Sequence, residues 1–295
     1  MICDVSPRDG LQNEAVALGP AVRAQLVRRL LAAGCRAVEA GSLVRADVVP
    51  QMADSESVVA LVGEGADRLA LLVLNERGLA RAGTTGVGAI HVAHPVTDTF
   101  AERNQGLAAA ASLERSCRLL AGARSSGQRA VGILAAAFGC PFEGPVDPQL
   151  VAAHAGALAE AGADAVILAD TIGAATPSGI RAAVRAVAGT SAVELGLHLH
   201  NTRNCGYANA VAGLEEGVRR FDASVGGFGG CPFAPNATGN VATEDLAWIL
   251  EREGAVHRLD LDELGLTGEW LARQLGRPAP GLLHRAGRFP AAATA

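Results

Sequence analysis

Short apolar segments alternate with longer helix-forming segments along the whole chain, and this alternation restricts the fold more than any other feature. The apolar segments predict eight strands: residues 2–5, 36–40, 68–74, 89–93, 129–135, 165–170, 194–200 and 220–224. The intervening Ala-, Leu- and Arg-rich stretches predict helices, among them residues 21–33, 107–124, 149–161, 180–187 and 244–253. Strands that are apolar throughout are typical of a parallel sheet that is covered on both faces.

An eightfold strand and helix alternation over 295 residues predicts a (β/α)8 barrel, the TIM-barrel class of α/β fold. The alternative is a doubly wound open sheet, which would carry a Gly-rich phosphate turn after its first strand. This chain has Arg-Asp-Gly-Leu-Gln-Asn there instead, at residues 8–13. We therefore predict a catalytic barrel over residues 1–258. A helical tail over residues 259–295 is predicted to pack on it and to become disordered towards its end.

Composition and charge exclude several classes of protein. With 49% hydrophobic residues and a net charge of −5, the chain can bury a large core, and its 25 scattered Lys and Arg residues predict no nucleic-acid partner. No apolar run reaches the roughly 18 residues of a membrane span, and no basic-then-apolar leader precedes the first motif. We expect a cytoplasmic protein of bacterial type whose six cysteines are reduced. The short first strand suggests a natural start a few residues upstream of Met1.

Polar side chains follow several of the predicted strands, where the reactive groups of such a barrel lie. They are Arg8, Asp9, Glu39, Asp170, Thr171, His198 and His200. Taken singly, each has an ordinary structural explanation: a strand-end Asp often caps a turn, and a lone His is usually a hydrogen-bonded core residue. His198 and His200, however, are two apart on one strand and point to the same side of the sheet. This spacing favours a ligand pair for one cation.

A glycine-rich loop at residues 226–230 follows the last predicted strand and leads to Cys231. The loop is either a flexible connector or a segment that closes over the site. A thiol on such a loop can carry out proton or nucleophile chemistry.

Five sequence fragments, which occur in order along nearly the whole chain, carry a family resemblance. They are Ser-Pro-Arg-Asp-Gly-Leu-Gln-Asn-Glu at 6–14, Val-Pro-Gln-Met-Ala-Asp at 49–54, Gly-Cys-Pro-Phe-Glu-Gly at 139–144, Asp-Thr-Ile-Gly at 170–173, and the segment at 229–245 that contains Gly-Gly-Cys-Pro-Phe-Ala and Gly-Asn-Val-Ala-Thr-Glu-Asp. Together they resemble the 3-hydroxy-3-methylglutaryl-CoA lyase family. The Arg-Asp-Gly and His-x-His motifs are shared with a wider group of metal-dependent lyases and synthases, whereas Leu-Gln-Asn-Glu and the Cys-bearing loop narrow the resemblance to the lyases.

The resemblance implies a metal-dependent cleavage of 3-hydroxy-3-methylglutaryl-CoA to acetyl-CoA and acetoacetate, as in leucine catabolism, by a homodimer. It implies Mg²⁺ or Mn²⁺ and no organic cofactor beyond the CoA of the substrate. The implied metal ligands are Asp9, His198, His200 and Asn240. Asp9 would also act as the base, Arg8 would stabilise the enolate and Cys231 would protonate it. Glu39 and Asp170 would orient Arg8 and the metal ligands. The substrate-binding residues are predicted to be Gln12, Asn13, Thr171 and Arg203.

The chain departs from the family pattern directly after its His-x-His motif. It has Asn201 and Arg203 in Asn-Thr-Arg-Asn, where the lyases usually have Asp-Thr-Tyr-Gly. A neutral amide in place of a carboxylate beside the ligands is expected to retune metal affinity or substrate recognition. A lyase for a different 3-hydroxyacyl-CoA, a condensing transferase of the same superfamily and a catalytically silent barrel therefore remain as alternatives.

Overall fold

The computed structural model describes residues 1–230, 239–255, 258–287 and 289. Its strands form a closed barrel in which each strand pairs with its neighbour in sequence order, and every pairing is parallel. Pairing of Ile2 with Phe221 and of Cys3 with Asp222 closes the barrel. The predicted (β/α)8 fold is confirmed. The strands are β1 (Ile2–Asp4), β2 (Ala37–Ser42), β3 (Leu69–Val73), β4 (Ala89–Pro95), β5 (Arg129–Ala135), β6 (Ala165–Asp170), β7 (Glu194–Leu199) and β8 (Arg220–Ala223).

Helices cover the outside of the barrel. Those within the barrel are α1 (Pro20–Ala32), α2 (Ser55–Val62), α3 (Glu76–Ala82), α4 (Asp98–Gln105), α5 (Ala109–Ser125), α6 (Pro148–Glu160), α7 (Pro177–Ala188), α8 (Gly206–Glu215) and α9 (Thr243–Arg252). Helix α7 begins earlier than predicted because Thr176 accepts a hydrogen bond from the Gly179 N–H and Pro177 occupies the first turn, where a proline is tolerated.

Most of the buried apolar residues form two layers that are separated by the strands. Side chains such as Leu134 and Leu168 point outwards and pack in the large cluster beneath the helices. A smaller cluster fills one side of the barrel interior: Leu72, Val131, Ile133, Ala165, Ile167 and Ala169, with Ala93 packed against it. This alternation follows from the period of two residues along a strand. It explains why the strands are apolar throughout.

The tail contains helices α10 (Leu261–Leu275) and α11 (Leu283–Ala286). Helix α10 lies against α1 and α9 and contacts residues 225–227 after β8. Asp260 caps α10 by accepting hydrogen bonds from the N–H groups of Asp262 and Glu263. The predicted boundary between barrel and tail near residue 258 stays a prediction.

Two further expectations concern membranes and thiols. None of the helices in the described ranges is both long enough and apolar enough to cross a bilayer. The cysteines that the structure describes are free thiols: Cys3, Cys35, Cys117, Cys140 and Cys205.

Candidate active site

A single helical turn after β1 places Arg8 and Asp9 at the mouth of the barrel. Residues Ser6–Gly10 form one wide helical turn of the π type. The Val5 carbonyl accepts hydrogen bonds from the N–H groups of Arg8 at 3.1 Å, Asp9 at 2.8 Å and Gly10 at 3.2 Å. A side chain at Gly10 would have its Cβ only 2.7 Å from Ser224 Oγ, so glycine allows the turn to pack against the end of β8. Wide turns of this kind are frequent at functional sites.

Asp4, at the end of β1, anchors this turn from below. Its carboxylate accepts hydrogen bonds from the N–H of Ser6 at 2.8 Å, the N–H of Val225 at 3.1 Å and the hydroxyl of Thr243 at 2.7 Å. Burial raises the pKa of Asp4 to about 6, although these hydrogen bonds oppose the rise. The loops after β1 and β8 are therefore tied together by one carboxylate.

Asp9, His198 and His200 bring their donor atoms together beside this turn. The Nε2 atoms of the two histidines lie 3.1 Å apart, and Asp9 Oδ2 lies 3.8 Å from Nε2 of His198 and 3.5 Å from Nε2 of His200. All three ligand atoms fall within 4.8 Å of one another. Donor atoms this close together could converge on one divalent ion after small movements of their side chains.

Asn240 completes the donor set from the other side. It forms an antiparallel bridge with His200, and its amide N–H₂ donates to Asp9 Oδ2 at 2.8 Å and to the Phe228 carbonyl at 3.0 Å. Its Oδ1 is buried and has no hydrogen-bond partner among the described residues. A buried amide oxygen without a partner is costly unless something binds it. Two imidazoles, one carboxylate and this oxygen therefore fit a divalent metal ion.

Asp222 orients His198 from within the barrel. Its Oδ2 lies 3.5 Å from His198 Nδ1, a placement that favours the tautomer with the proton on that nitrogen and leaves Nε2, on the side of Asp9, as the ligand atom. Burial disfavours the charged imidazole, but the hydrogen bond to Asp222 and the charge of Asp9 outweigh burial and raise the pKa of His198.

Arg8 is held between two carboxylates. Its Nη1 donates to Asp9 Oδ1 at 2.6 Å and its Nε donates to Glu39 Oε2, while Glu39 Oε1 lies 2.7 Å from His91 Nδ1. Burial alone would raise the pKa of Glu39, but the Arg8 guanidinium and the hydrogen bond to His91 lower it. Burial is likewise overcome at Asp9, where the charges of Arg8 and the two imidazoles hold the pKa well below its usual value. Arg8 is therefore fixed in position before any substrate binds.

A cavity of about 160 Å³ opens above these residues. Three of the predicted substrate-binding residues, Gln12, Asn13 and Thr171, line it. Thr171 Oγ1 accepts a hydrogen bond from the Ala136 N–H at 2.8 Å, which leaves the hydroxyl hydrogen available to another acceptor. The opposite wall is largely apolar and includes Val44, Leu72, Leu74, Ala93, Pro95, Phe100, Ile133, Ala135 and Ala169.

Two other predicted residues organise loops beside the cavity. Asp170 accepts hydrogen bonds from the N–H groups of Ala174 at 2.7 Å and Ala175 at 3.0 Å. Burial raises the pKa of Asp170, and these hydrogen bonds oppose the rise. Arg203 is exposed, and its Nη1 donates to the carbonyls of Ile172 at 2.8 Å and Gly173 at 3.0 Å. Neither side chain is among those that line the cavity.

The two remaining predicted features lie at the edges of the site. Asn201 accepts a hydrogen bond from the Gly206 N–H at 3.1 Å, so its amide supports the start of α8. Cys231 lies outside the described residues. The chain leading to it is held at Gly230, whose carbonyl accepts a hydrogen bond from Asn13 Nδ2 at 2.8 Å.

The sequence reasoning missed Asp222 and His91, although each leaves a signal. Arg220, Asp222 and Ser224 alternate along β8, which places three polar side chains on one face of an otherwise apolar strand. His91 interrupts an apolar run in β4 in the same way. Polar residues at a period of two in such a strand indicate an inward-facing site.

Known proteins resemble this chain over nearly its whole length. The family model described as HMGL-like matches residues 1–270. The chain is 42% identical to the (R)-citramalyl-CoA lyase of Chloroflexus aurantiacus, with 97% of this chain and 94% of that protein covered. It is 38% identical to the hydroxymethylglutaryl-CoA lyase of Pseudomonas mevalonii, with 93% and 92% covered. The solved structure of an HMG-CoA lyase from Acinetobacter baumannii in complex with coenzyme A and 3-methylmalate has a TM-score of 0.92 and 34% identity, with 99% and 97% covered. As its motifs predicted, the chain belongs to the HMGL-like family and is a carbon–carbon lyase.

Proposed function

We propose that this lyase cleaves 3-hydroxy-3-methylglutaryl-CoA, or a close analogue, between C2 and C3 and releases acetyl-CoA and acetoacetate. The observation that carries the proposal is the convergence of Asp9, His198 and His200 beside a fixed Arg8, at the mouth of a cavity. We propose that these three residues and Asn240 hold Mg²⁺ or Mn²⁺. When bound, such an ion supplies Lewis-acid chemistry that lowers the pKa of a substrate hydroxyl group.

Asp9 and Arg8 would perform the bond-breaking step. Asp9 stays ionised at neutral pH because its pKa is held low, so it is in the form that accepts the C3 hydroxyl proton. As the C2–C3 bond breaks, C3 becomes a carbonyl and the electron pair passes to the thioester as an enolate. Arg8 lines the cavity and can donate to the enolate oxygen, a contribution worth about 3 kcal/mol for one such donor. Its pairing with Glu39 and Asp9 removes the cost of orienting it.

The enolate must then gain a proton at C2 to become acetyl-CoA. We assign this step to Cys231, on the strength of the family resemblance and of the anchored Gly230 that precedes it. Cys231→Ser should lower turnover by orders of magnitude and leave metal and CoA binding nearly unchanged, as measured by steady-state kinetics and titration. Turnover like that of the wild type would remove Cys231 from the reaction.

A second substrate is favoured by one specific observation. The relative that is 42% identical is named a lyase of (R)-citramalyl-CoA, whose carboxylate is attached directly to the hydroxyl-bearing carbon. The same cleavage would then release acetyl-CoA and pyruvate. The relatives named above are lyases, which favours cleavage over the condensing transferase.

The first experiment compares both thioesters with Mg²⁺, with Mn²⁺ and with a chelator. Acetoacetate and pyruvate are quantified separately, because acetyl-CoA is common to both reactions. Metal-dependent release of acetoacetate supports the first substrate, and release of pyruvate alone supports the second. Cleavage that persists in chelator would contradict the metal site.

The remaining points concern the substrate class, the oligomeric state, the cellular location and the metabolic role. A structural neighbour is a complex with coenzyme A, which supports an acyl-CoA substrate for this chain. The homodimer, the cytoplasmic location and the role in leucine catabolism stay predictions from the sequence.

A further inference from the structure

The segment after helix α10 reaches back to the two loops that carry the active site. We propose that Arg277, in this segment, is a positioning residue that couples the loop after β1 to the loop after β8. The coupling would set the relative placement of Asp9 and Asn240. The inference rests on the proposed function where turnover or Mn²⁺ affinity is measured, whereas hydrogen exchange tests it independently.

Arg277 contacts the loop after β1 through a bidentate ion pair with Glu14. Helix α10 ends at Leu275, and the next residue, Gly276, has a φ of +66° that turns the chain back towards the barrel. Arg277 Nε then donates to Glu14 Oε2 at 2.9 Å, and Arg277 Nη2 donates to Glu14 Oε1. Glu14 is nearly buried and lies shortly after Asp9 in the same loop. A bidentate guanidinium–carboxylate pair restricts both position and orientation.

The same guanidinium contacts the loop after β8. Its Cζ lies 4.7 Å from the centre of the Phe228 ring, and Phe228 is fully buried. The Phe228 carbonyl accepts a hydrogen bond from Asn240 Nδ2 at 3.0 Å, and that amide also donates to Asp9 Oδ2 at 2.8 Å. Arg277 is therefore linked to Asp9 through Glu14 in the loop after β1. It is linked to Asn240 through Phe228 in the loop after β8, and Asp9 and Asn240 are hydrogen-bonded to each other.

The segment that carries Arg277 is itself fixed to the barrel. The Gly281 N–H donates to the Gly226 carbonyl at 2.9 Å. The Asp245 carboxylate accepts hydrogen bonds from the N–H groups of Leu282, at 2.9 Å for the shorter contact, and Leu283 at 2.7 Å. Arg277 is thus held between two anchored points, with α10 before it and this contact after it. It does not reach the loops from a free end.

A role in positioning predicts a different result from a role in stability. The Arg277 side chain is 37% exposed, and ion pairs at such exposure add little to the free energy of unfolding. Losing it should therefore change stability only slightly. Displacing the groups that orient metal ligands, by contrast, typically lowers metal affinity or activity about 10-fold to 100-fold.

The test compares Arg277→Gln, Glu14→Gln and their double variant in the full chain. Arg273→Gln is the matched control, because Arg273 lies on α10 one turn before Arg277 and pairs with Glu269 at 3.8 Å on the exposed surface. Mn²⁺ affinity is measured by calorimetric titration, and turnover by kcat and KM on 3-hydroxy-3-methylglutaryl-CoA. Amide hydrogen exchange at residues 6–14 and 224–230 is measured on the metal-free protein.

We expect each single variant to weaken Mn²⁺ binding about 10-fold or more and to lower kcat with little change in KM. The double variant should be no worse than the more affected single variant, because both break the same connection. Exchange should rise in both loops, Arg277→Lys should recover part of the loss, and Arg273→Gln should behave like the wild type.

Wild-type Mn²⁺ affinity, kcat and loop exchange in Arg277→Gln would overturn the inference, whatever its melting temperature. If that variant does not fold, Glu14→Gln decides by the same criteria. A wild-type protein that cleaves neither thioester would refute the proposed function, while hydrogen exchange would still decide the role of Arg277.

Discussion

The two sides of the barrel interior differ sharply in chemistry. One side carries the polar side chains of β2, β7 and β8 and of the loop after β1, with His91 reaching it from β4: Arg8, Asp9, Glu39, His91, His198, His200 and Asp222. The other side is the apolar cluster of β3, β5 and β6, with Ala93 from β4 packed against it. We call these the polar half and the apolar half.

We expect the polar half to serve the reaction and the apolar half to serve the fit of the substrate. In the polar half, the buried charges of Arg8, Asp9 and Glu39 are paired, so they can remain charged away from water. The apolar half can only exclude or accommodate a substituent by its shape. The polar half should therefore determine whether the bond breaks, and the apolar half should determine which acyl chain enters.

The largest effect should come from Asp9→Asn in the polar half. The amide cannot accept the hydroxyl proton and removes the carboxylate that faces both imidazoles. We expect kcat to fall about 10²-fold to 10⁴-fold, as for loss of a general base. The exposed variant Asp47→Asn is the control. Turnover within tenfold of the wild type would show that the base lies elsewhere.

Glu39→Leu tests whether the pairing in the polar half stabilises the fold as well as the site. Removing one partner of a buried ion pair costs about 3–5 kcal/mol, and the remaining pairing of Arg8 with Asp9 places the expected loss at the lower end. Chemical denaturation measures this loss. Kinetics should show a decrease in kcat as well, because Arg8 loses one of its two anchors. A variant with unchanged stability and kcat would contradict the assigned role of Glu39.

Ile133→Ala tests the apolar half. The truncation should cost about 2 kcal/mol, near the low end for such changes, because the new space opens into the cavity. We expect turnover of the original substrate to survive and preference to shift towards thioesters with a larger C3 substituent. Leu134→Ala is the matched control, because Leu134 points into the outer layer. It should lose stability with no change in preference, and an equal shift in both variants would refute the division.

Glu244 extends the comparison to a buried carboxylate outside the barrel interior, and its effect should appear in the pH dependence of stability. It is buried like Glu39, but no described cation pairs with it; the N–H of Gly226 donates to both its oxygens, at 3.1 and 3.0 Å. Burial, aided by the charges of Asp245 and Asp4, raises the pKa of Glu244 from 4.5 to about 8. The folded protein therefore keeps a proton in this pH window that the unfolded chain releases, and stability falls as the pH rises through it.

Glu244→Gln is neutral at every pH and should remove this decline. Melting temperatures measured from pH 5 to pH 9 should favour the variant over the wild type increasingly as the pH rises, with a plateau above about pH 8. Glu102→Gln, at an exposed position, should leave the profile unchanged. A constant difference between Glu244→Gln and the wild type would mean that Glu244 is already ionised in the folded protein.

Local pattern predicted most of the fold. Each predicted strand is present, with both ends within two residues of the observed bounds. Such agreement is possible because the hydrophobic pattern of a strand or a helix depends only on residues that are close together in the sequence. Helix α7 was placed less well, since its start depends on a cap and a proline and not on apolar spacing.

The structure brings some of the predicted site residues together, for an equally physical reason. Arg8, Asp9, His198 and His200 stand at strand ends, where the fold class alone brings them together. Asp170 and Arg203 stand at similar ends, yet both hydrogen-bond to loop backbone. A strand-end position does not reveal whether a polar side chain faces the cavity or the neighbouring loop.

The sequence by itself determined the barrel, the order of its strands and the approach of Asp9, His198 and His200 at one end of it, because those follow from periodicity and from chain order. Only the tertiary structure decided which side chains contact and orient the polar residues of this region. Asp222 contacts His198, His91 contacts Glu39, and Arg277 contacts Glu14. Each of these pairs joins two different segments of the chain, and Arg277 and Glu14 come from opposite ends of it. Their contact depends on how the closed barrel brings side chains together in space, which no local pattern specifies.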